Sequence, residues 1–373
     1  MANKSDFWKK PGVKSVLSSL ICIFLGLFIG YLVLLVINPA ESFKALGAII
    51  KNYFWYPNAM MVKRAMGNTL VRTAPLIMCS LSVLFAYKTG LFNIGAAGQY
   101  TLGAAFALLL AIRFECNWSV CLLAAVLAGA FLGALSGLLK AFFNVNEVIS
   151  CIMLNWISLY STNMIMLACK EPTSPYTFPL HTKGKQALLP NLGLGSLFGK
   201  NKYITIAVFL SVIMAILVWI LLDKTKFGYE LKATGLNKNA AKYAGMNEKK
   251  NIVITMAIAG GLAGLAASFY YQSGIEQWSC SATTLPAMGF NGIAGAFLGG
   301  LHPIGAIFAS FFIQHITSGG AFVDKTMYCS QVSDFISSVI IYLCCFVLFF
   351  RQFITGRLDR RDERLARAGK EGK

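Results

Sequence analysis

Long runs of apolar residues, separated by short polar segments, dominate the pattern along this chain. A helix that crosses a bilayer needs about 20 consecutive apolar residues. The segments that approach this length are residues 16–37, 68–87, 91–112, 120–139, 147–168, 203–222, 252–270, 285–300, 303–318 and 335–353. Several of the later segments are short or interrupted by glycine. The pattern therefore predicts about ten transmembrane helices.

The composition agrees with a membrane protein. Apolar residues make up 57% of the 373 residues and charged residues 13%, against roughly 45–50% and about 25% in soluble chains. So few charges could not cover the surface of a soluble protein of this size, which excludes a cytosolic enzyme, a disordered chain and a disulfide-stabilised secreted domain. The predicted fold class is an all-α polytopic membrane protein.

Basic residues are concentrated in a few polar blocks, at Lys4–Lys14, Lys224–Lys250 and Arg351–Lys373. The chain has 33 basic and 15 acidic residues, a net charge of +18. Lysine and arginine accumulate in the cytoplasmic loops of membrane proteins, so we expect both termini in the cytoplasm and an even number of spans. The lipid bilayer, and not a nucleic acid, is the partner that this charge indicates.

This topology divides the chain into a basic cytoplasmic N-terminus, a transmembrane domain and a basic cytoplasmic tail. Their bounds are 1–15, 16–353 and 354–373. The transmembrane domain carries a cytoplasmic loop, 223–251, and an external loop, 169–202. The external loop contains five lysines but also four prolines, and the prolines favour an ordered external cap.

One predicted span, 147–168, carries a polar stripe. Glu147, Cys151, Asn155, Ser158 and Thr162 recur every three or four residues, so they share one helix face. Exposure of these polar groups to lipid would cost free energy. We therefore expect the stripe to face a cavity or a neighbouring helix. In a cavity, Asn155 and the adjoining Trp156 would offer an amide and a ring to a ligand; alternatively, Asn155 bonds to another helix.

Two glycine- and alanine-rich segments, 90–99 and 289–300, each contain Phe-Asn. In the predicted topology they open spans from opposite sides of the membrane, the arrangement of an inverted repeat with a substrate path at its interface. Small residues spaced by four, as at Gly129/Gly133, predict close helix packing. The candidate path residues are Phe92, Asn93, Gln99, Asn155, Trp156, Phe290 and Asn291. The competing interpretation is that the aromatic residues among them only pack helices together.

The cytoplasmic loop 223–251 contains a pattern typical of a short capped helix. Asn237 can cap a helix through Ala240 and Ala241, and Gly245 can end it. Held between lysines, this helix would be a docking element for a soluble partner. The alternative is an ordinary solvated loop.

No arrangement of residues predicts catalysis or a bound cofactor. Gly199-Lys200 lacks the rest of a phosphate-binding loop, and the three histidines have no metal-ligand spacing. Charged residues are nearly absent from the middle of the predicted spans, which argues against a proton relay and favours a neutral cargo. If ATP drives the protein, another chain binds it. Cys280 and Cys329 could form a bridge between two external loops.

Four segments together resemble the permease subunits of bacterial ABC importers, in the group that serves branched-chain amino acids, simple sugars and nucleosides. They are residues 81–100, 144–157, 229–247 and 289–305, and the resemblance runs from about residue 65 to 350 in the same order. The second segment, NVNEVISCIMLNWI, is most similar to the nucleoside-type branch.

The resemblance implies a type II importer fold with about ten helices per subunit. It implies that Gly235–Gly245 inserts into a cleft of a separate ATPase, which holds ATP and Mg²⁺. It further implies a second homologous permease in a heterodimer, an external substrate-binding lipoprotein and the bacterial plasma membrane. The expected cargo is a nucleoside, with a simple sugar or another neutral metabolite as the alternative and an ion-driven carrier as a third hypothesis.

Overall fold

The computed structural model describes residues 11–323 continuously and only scattered residues between 335 and 356. Within these residues the regular secondary structure is helical, and two isolated β-bridges join Lys170 with Thr177 and Tyr176 with Ser279. The α-helices are α1 (Pro11–Ile37), α2 (Ser42–Lys51), α3 (Ala59–Lys88), α4 (Ala96–Ile112), α5 (Trp118–Phe143), α6 (Glu147–Met166), α7 (Leu194–Leu197), α8 (Ala207–Lys224), α9 (Lys226–Leu236), α10 (Lys238–Tyr243), α11 (Glu248–Tyr271), α12 (Ala287–Leu298) and α13 (Pro303–Gly319). Short 3₁₀ helices cover Asn52–Trp55, Leu167–Cys169, Lys185–Ala187 and Gly320–Phe322.

Each of the predicted spans up to 303–318 coincides with a helix. Among the described residues, six helices are long and apolar enough to cross a membrane, namely α1, α3, α5, α6, α8 and α11. The helices α4 and α12 are apolar but shorter. The tenth predicted span, 335–353, falls largely outside the described residues, as do the two basic termini and Cys329. The described residues are thus consistent with a polytopic helical membrane protein, and the count of about ten spans stays a prediction.

The tightest packing joins α5 and α11 along a seam of glycines. A Cβ atom on Gly133 would clash with the backbone oxygen of Met256, and one on Gly264 would clash with the backbone oxygen of Ala125. The two backbones therefore touch, which side chains larger than hydrogen would prevent. The close helix packing predicted from the spacing of these small residues is confirmed.

Helix α3 is the most buried of the six candidate spans and forms the centre of the bundle. Helix α12 packs directly against it, because a Cβ on Gly292 would lie 2.6 Å from the Cβ of Cys79. The hydroxyl groups of Ser80 on α3 and Ser310 on α13 lie 3.1 Å apart. These contacts hold α3, α12 and α13 together around the region described next.

The segment predicted as an external cap is ordered by pairing with residues that follow α11. The backbone N–H of Thr177 donates to the carbonyl oxygen of Trp278 at 2.9 Å. The side-chain amide of Gln272 donates to the carbonyl oxygens of Ala187 at 2.9 Å and Trp118 at 3.1 Å. The cap is therefore fastened to the helix bundle by a backbone hydrogen bond and by the side chain of Gln272.

Candidate functional site

The two Phe-Asn segments each lie at the start of a shortened helix. Helix α4 begins at Ala96 after the non-helical residues 91–95, and α12 begins at Ala287 after the irregular segment 272–286. A Cβ atom on Gly289 would clash with the backbone of Ala97, so the two helix starts touch. Contact between these segments is what a repeat interface requires, although the inverted repeat itself stays a prediction.

The predicted path residues Asn93 and Gln99 form a buried amide pair. The Asn93 Nδ2 donates to the Gln99 Oε1 at 2.8 Å and to the Ser82 Oγ at 3.0 Å, and the Gln99 Nε2 donates back to the Asn93 Oδ1 at 3.1 Å. Both side chains are buried. Their hydrogen bonds are thus made within the protein, and the pair fixes the non-helical chain ahead of α4.

Asn155 is also bonded within the protein. Its Oδ1 accepts from the backbone N–H of Gly98 at 2.8 Å, and its Nδ2 donates to the carbonyl oxygen of Ile94 at 3.2 Å. Along the same stripe, the Thr162 hydroxyl donates to the carbonyl oxygen of Thr101 at 3.3 Å. The polar stripe of α6 therefore faces the neighbouring helix α4, one of the two arrangements that its spacing predicts.

An apolar cavity of about 310 Å³ brings together several of the predicted path residues. Its lining consists of Ile94, Ile152, Asn155, Trp156, Thr284, Leu285 and Phe290. The ring of Trp156 stacks on that of Tyr160 at a centroid distance of 6.1 Å. Phe92 lies apart from this lining and packs against Phe297 at 6.4 Å between ring centroids.

Asn291 lines a second cavity, of about 410 Å³, which we call the tyrosine cavity. Helices α3, α4, α11, α12 and α13, the segment 272–286 and Tyr176 of the cap line it. Its lining consists of Arg72, Tyr100, Tyr176, Tyr270, Tyr271, Glu276, Gln277, Trp278, Ser279, Ala282, Thr284, Pro286, Ala287, Met288, Asn291, Gln314 and Thr317. The hydroxyl of Tyr270 donates to the carboxylate of Glu276. This lining is more polar and more aromatic than that of the apolar cavity.

The short helix predicted in the lysine-rich loop is α10. The Asn237 Oδ1 accepts from the backbone N–H of Ala240 at 3.1 Å, and Gly245 has a φ of +81°, so it turns the chain just after the helix. Ala241 is buried, whereas Leu236 and Tyr243 are 89% and 93% exposed. An exposed leucine and tyrosine flanking a capped helix form a surface suited to a partner protein. We call residues 235–245 the coupling segment.

The coupling segment contacts the turn that precedes the buried amide pair. A Cβ on Gly235 would lie 2.5 Å from the backbone carbon of Thr89, and one on Gly90 would lie 2.8 Å from the carbonyl oxygen of Gly235. The Thr255 hydroxyl of α11 donates to that of Thr89 at 3.3 Å. Backbone contact of this kind leaves no flexible side chain in between.

The chain matches the model of the family described as branched-chain amino acid transport system / permease component over residues 65–345. It belongs to this permease family. The resemblance drawn from the four sequence segments is therefore confirmed, and the permease is a multi-pass membrane transport component, not an enzyme.

Several named permeases are similar over most of their length. The guanosine ABC transporter permease protein NupP of Bacillus subtilis is 31% identical over 353 residues, covering 93% of this chain and 97% of that protein. The nucleoside ABC transporter permease protein NupB of Lactococcus lactis is 32% identical over 316 residues, 82% and 84% of the two chains. The glucose ABC transporter permease protein TsgB13 of Haloferax volcanii is 27% identical over 307 residues, 79% and 80% of the two chains. No solved structure matches the chain.

The tyrosine cavity of the permease is what the sequence pattern largely missed. Its rings come from segments far apart in the chain, and no local spacing connects Tyr100 to Tyr271. One signal was present: Arg72 is a charged residue inside the predicted span 68–87, and such residues mark functional sites by default. Arg72 lies near the start of that span and lines this cavity, so the expectation that charges are nearly absent from the middle of the spans is unchanged.

Proposed function

We propose that this permease forms the transmembrane path of an ATP-driven importer of nucleosides. The observation that carries the proposal is similarity along nearly the whole chain to NupP and NupB, whose names specify guanosine and nucleoside transport. Two cavities with aromatic and amide groups in their linings give a planar base and a ribose suitable surroundings. The near absence of intramembrane charge suits an uncharged cargo.

The coupling segment would connect the permease to its ATPase. Leu236 and Tyr243 would enter a cleft of that protein, which alone would hold ATP and Mg²⁺. Closure of the ATPase would push α10 and α9, and the backbone contact at Gly235 would carry this movement to Thr89 and the amide pair ahead of α4. The helices around both cavities would then switch between inward- and outward-open arrangements.

The assembly would follow the type II importer pattern, with about ten helices in each of two permeases and both termini in the cytoplasm of a bacterium. The family implies an ATPase and a substrate-binding protein as partners. We place an external binding lipoprotein over the cap and a second, homologous permease against α6. Helix α6 offers an exposed apolar face for that second permease, formed by Met153, Ile157, Tyr160 and Met164.

Nucleoside uptake tests the proposal. Cells that lack this gene should take up labelled guanosine, adenosine or uridine more slowly than cells carrying it, and restoring the gene should restore uptake. The difference should vanish on ATP depletion but persist with an uncoupler while ATP is maintained. Unchanged uptake of every nucleoside would refute the cargo, and transport that survives ATP depletion would indicate an ion-driven carrier.

A simple sugar is the second candidate cargo, because the glucose permease TsgB13 is similar over 79% of the chain. Labelled glucose and ribose, supplied to the same pair of strains, separate the two. Loss of sugar uptake without loss of nucleoside uptake in the strain lacking the gene would favour the sugar.

A further inference from the structure

The tyrosine cavity combines features that the apolar cavity lacks. Tyr100, Tyr271 and Trp278 follow one another at ring-centroid distances of 6.2 and 6.0 Å, and Tyr270 meets Tyr271 edge-on at 5.4 Å. All four rings are buried. The ring planes are inclined at 52°, 57° and 82° to one another, so the four rings line the cavity as an aromatic cluster, which we call the aromatic wall. A single ring of this wall can stack on a flat ligand, and the tyrosine hydroxyls add hydrogen-bonding groups to it.

Opposite charges line the same cavity. Arg72 comes from the interior of α3, and Glu276 comes from the segment that follows α11. Among the described residues no carboxylate lies within 4.0 Å of the Arg72 guanidinium, and no hydrogen bond to it is formed. The Glu276 carboxylate is held by the hydroxyl of Tyr270. The guanidinium donors thus stay available, and the cavity as a whole is neutral.

Amide and hydroxyl groups occupy the α12 and α13 side. Asn291, Gln314 and Thr317 line the cavity from these helices. Within the described part of the chain the Asn291 amide has no hydrogen-bond partner, whereas Gln314 has only a long bond of 3.5 Å to Ser318. Such groups match the hydroxyls of a sugar ring.

We propose that the tyrosine cavity binds the nucleoside cargo and selects 6-oxopurine nucleosides, with Arg72 and Glu276 contacting the base edge. This inference rests on the proposed function. The forked guanidinium matches the O6 and N7 acceptors of guanine or hypoxanthine. The Glu276 carboxylate accepts from the N1–H and, in guanine, from the 2-amino group.

Other nucleosides fit this pair less well. Adenine presents an amino donor where Arg72 also donates, and it has no N1–H for Glu276. Pyrimidines have no N7 and cover less of the aromatic wall. A monosaccharide would leave Arg72 unpaired against the stacking surface. The cavity therefore distinguishes between nucleosides as well as admitting them.

The test measures the ratio of guanosine to adenosine uptake at low concentration in cells carrying the complete importer. The binding protein is the same in every strain, so a change in this ratio originates in the permease. R72Q should lower the ratio about tenfold, and E276Q should lower it in the same direction. R113Q, which removes an exposed arginine outside the cavity, should leave the ratio unchanged.

Uptake of both nucleosides with the wild-type ratio in R72Q and E276Q would overturn the inference while leaving the proposed function intact. A wild-type strain that transports no nucleoside would instead refute the proposed function, and the inference with it. Immunoblots of membranes show whether each variant is made, and R72K retains the charge while losing the fork, so it should lower the ratio in a well-folded protein.

Tryptophan fluorescence tests the inference without Arg72 variants, in case those variants fail to fold. Trp278 lies in the cavity, so inosine bound to the purified full-length permease should change tryptophan fluorescence saturably. The fluorescence change should be absent in W278F. An equal change should require an adenosine concentration about tenfold higher than the inosine concentration. No inosine-dependent change, or equal responses to inosine and adenosine, would overturn the inference.

Discussion

Polar side chains in this permease differ in whether their hydrogen bonds are already made. Asn93, Gln99 and Asn155 are buried and bonded to neighbouring residues. The side chains of Arg72 and Asn291 instead face a cavity and form no hydrogen bond with the described residues. A bonded buried amide stabilises the helices that it joins. A polar group left available in a cavity can meet a ligand, so the two sets of residues should respond differently to substitution.

Replacing Asn155 by leucine should destabilise the permease. The change would orphan the buried N–H of Gly98 and the carbonyl of Ile94, and each unsatisfied buried group costs about 1–3 kcal/mol. The melting temperature of the purified protein in detergent measures the effect. Trp156→Leu, which changes a 41% exposed neighbour on the same helix, is the matched control. Equal melting temperatures for the two variants would contradict the structural role of Asn155.

His181, in the cap formed by residues 169–202, should make the stability of the cap depend on pH. Burial, and secondarily the charge of Lys202, lower the pKa of His181 below its usual 6.5, and its Nε2 has no hydrogen-bond partner among the described residues. The unfolded cap therefore binds more protons below about pH 6.5, so the cap loses stability as the pH falls through that value.

Limited proteolysis of the segment 169–202 measures this effect. Cleavage should accelerate between about pH 7.5 and about pH 5.5 in the wild type. His181→Phe keeps a ring against Tyr203, which lies 5.8 Å away between centroids, and should abolish the acceleration. An equal pH dependence of cleavage in both proteins would show that a group other than His181 causes the acceleration.

At the scale of helices, glycine backbone contacts decide which elements move together. The seam between α5 and α11 joins two long spans along several turns. The contact of Gly235 with Thr89 instead joins α9 to a single turn ahead of α4. A long seam of backbone contacts makes two helices move as one rigid unit. A single contact between two turns instead lets the movement of one element displace the other.

Gly133→Ala should be more damaging than Gly261→Ala. A Cβ on Gly133 would clash with the backbone oxygen of Met256, whereas one on Gly261 would lie 3.4 Å from the Cγ1 of Val126. The first change should cost about 1–3 kcal/mol through overpacking, and the second about 0.5 kcal/mol or less. Thermal denaturation and membrane abundance compare the two. Similar losses of stability in the two variants would mean that α5 and α11 move apart enough to accommodate the methyl group.

Gly235→Ala should lower nucleoside transport per ATP hydrolysed. The new Cβ would approach the Thr89 backbone to 2.5 Å, so α9 must shift away from the turn. The complete importer in proteoliposomes provides both rates. Gly47→Ala, which adds a methyl group with nothing within 4 Å, should leave the ratio of the two rates at the wild-type value. An unchanged ratio in Gly235→Ala would show that coupling takes another route.

At the scale of the whole molecule, charge predicts orientation. The lysines of 223–251 and the prolines of 169–202 lie on loops that the helix order places at opposite ends of the bundle. The positive-inside rule then assigns the coupling segment to the cytoplasm and the cap to the exterior. The ATPase and the binding protein would therefore meet opposite ends of the permease.

Cysteine labelling in intact cells tests this orientation. A membrane-impermeant thiol reagent should react with Leu197→Cys in intact cells, but with Tyr243→Cys only after lysis, because both positions are exposed on opposite ends. The wild type, with its native cysteines, provides the background. Labelling of Tyr243→Cys in intact cells would place the coupling segment outside and remove its proposed contact with the ATPase.

Local sequence predicted the features that depend on neighbours in the chain. The helix positions, the Asn237 cap and the family all follow from runs and motifs within a few turns. The polar stripe of α6 was also readable, because helical periodicity places Asn155 and Thr162 on one face. The stripe did not show which surface that face meets, since periodicity reports only that these side chains avoid lipid.

Tertiary structure decided the partners and the cavities. Asn155 bonds to Gly98 and Ile94, which belong to a different segment of the chain. The tyrosine cavity combines Arg72, Tyr100 and Glu276, which come from three separate segments. The sequence by itself determined which runs are long and apolar enough to cross a bilayer, because the transfer of each run from water to lipid depends on the composition of that run. Which polar groups find partners there, and which remain available to a ligand, depends on how the helices pack, because hydrogen bonds and cavities exist only between elements.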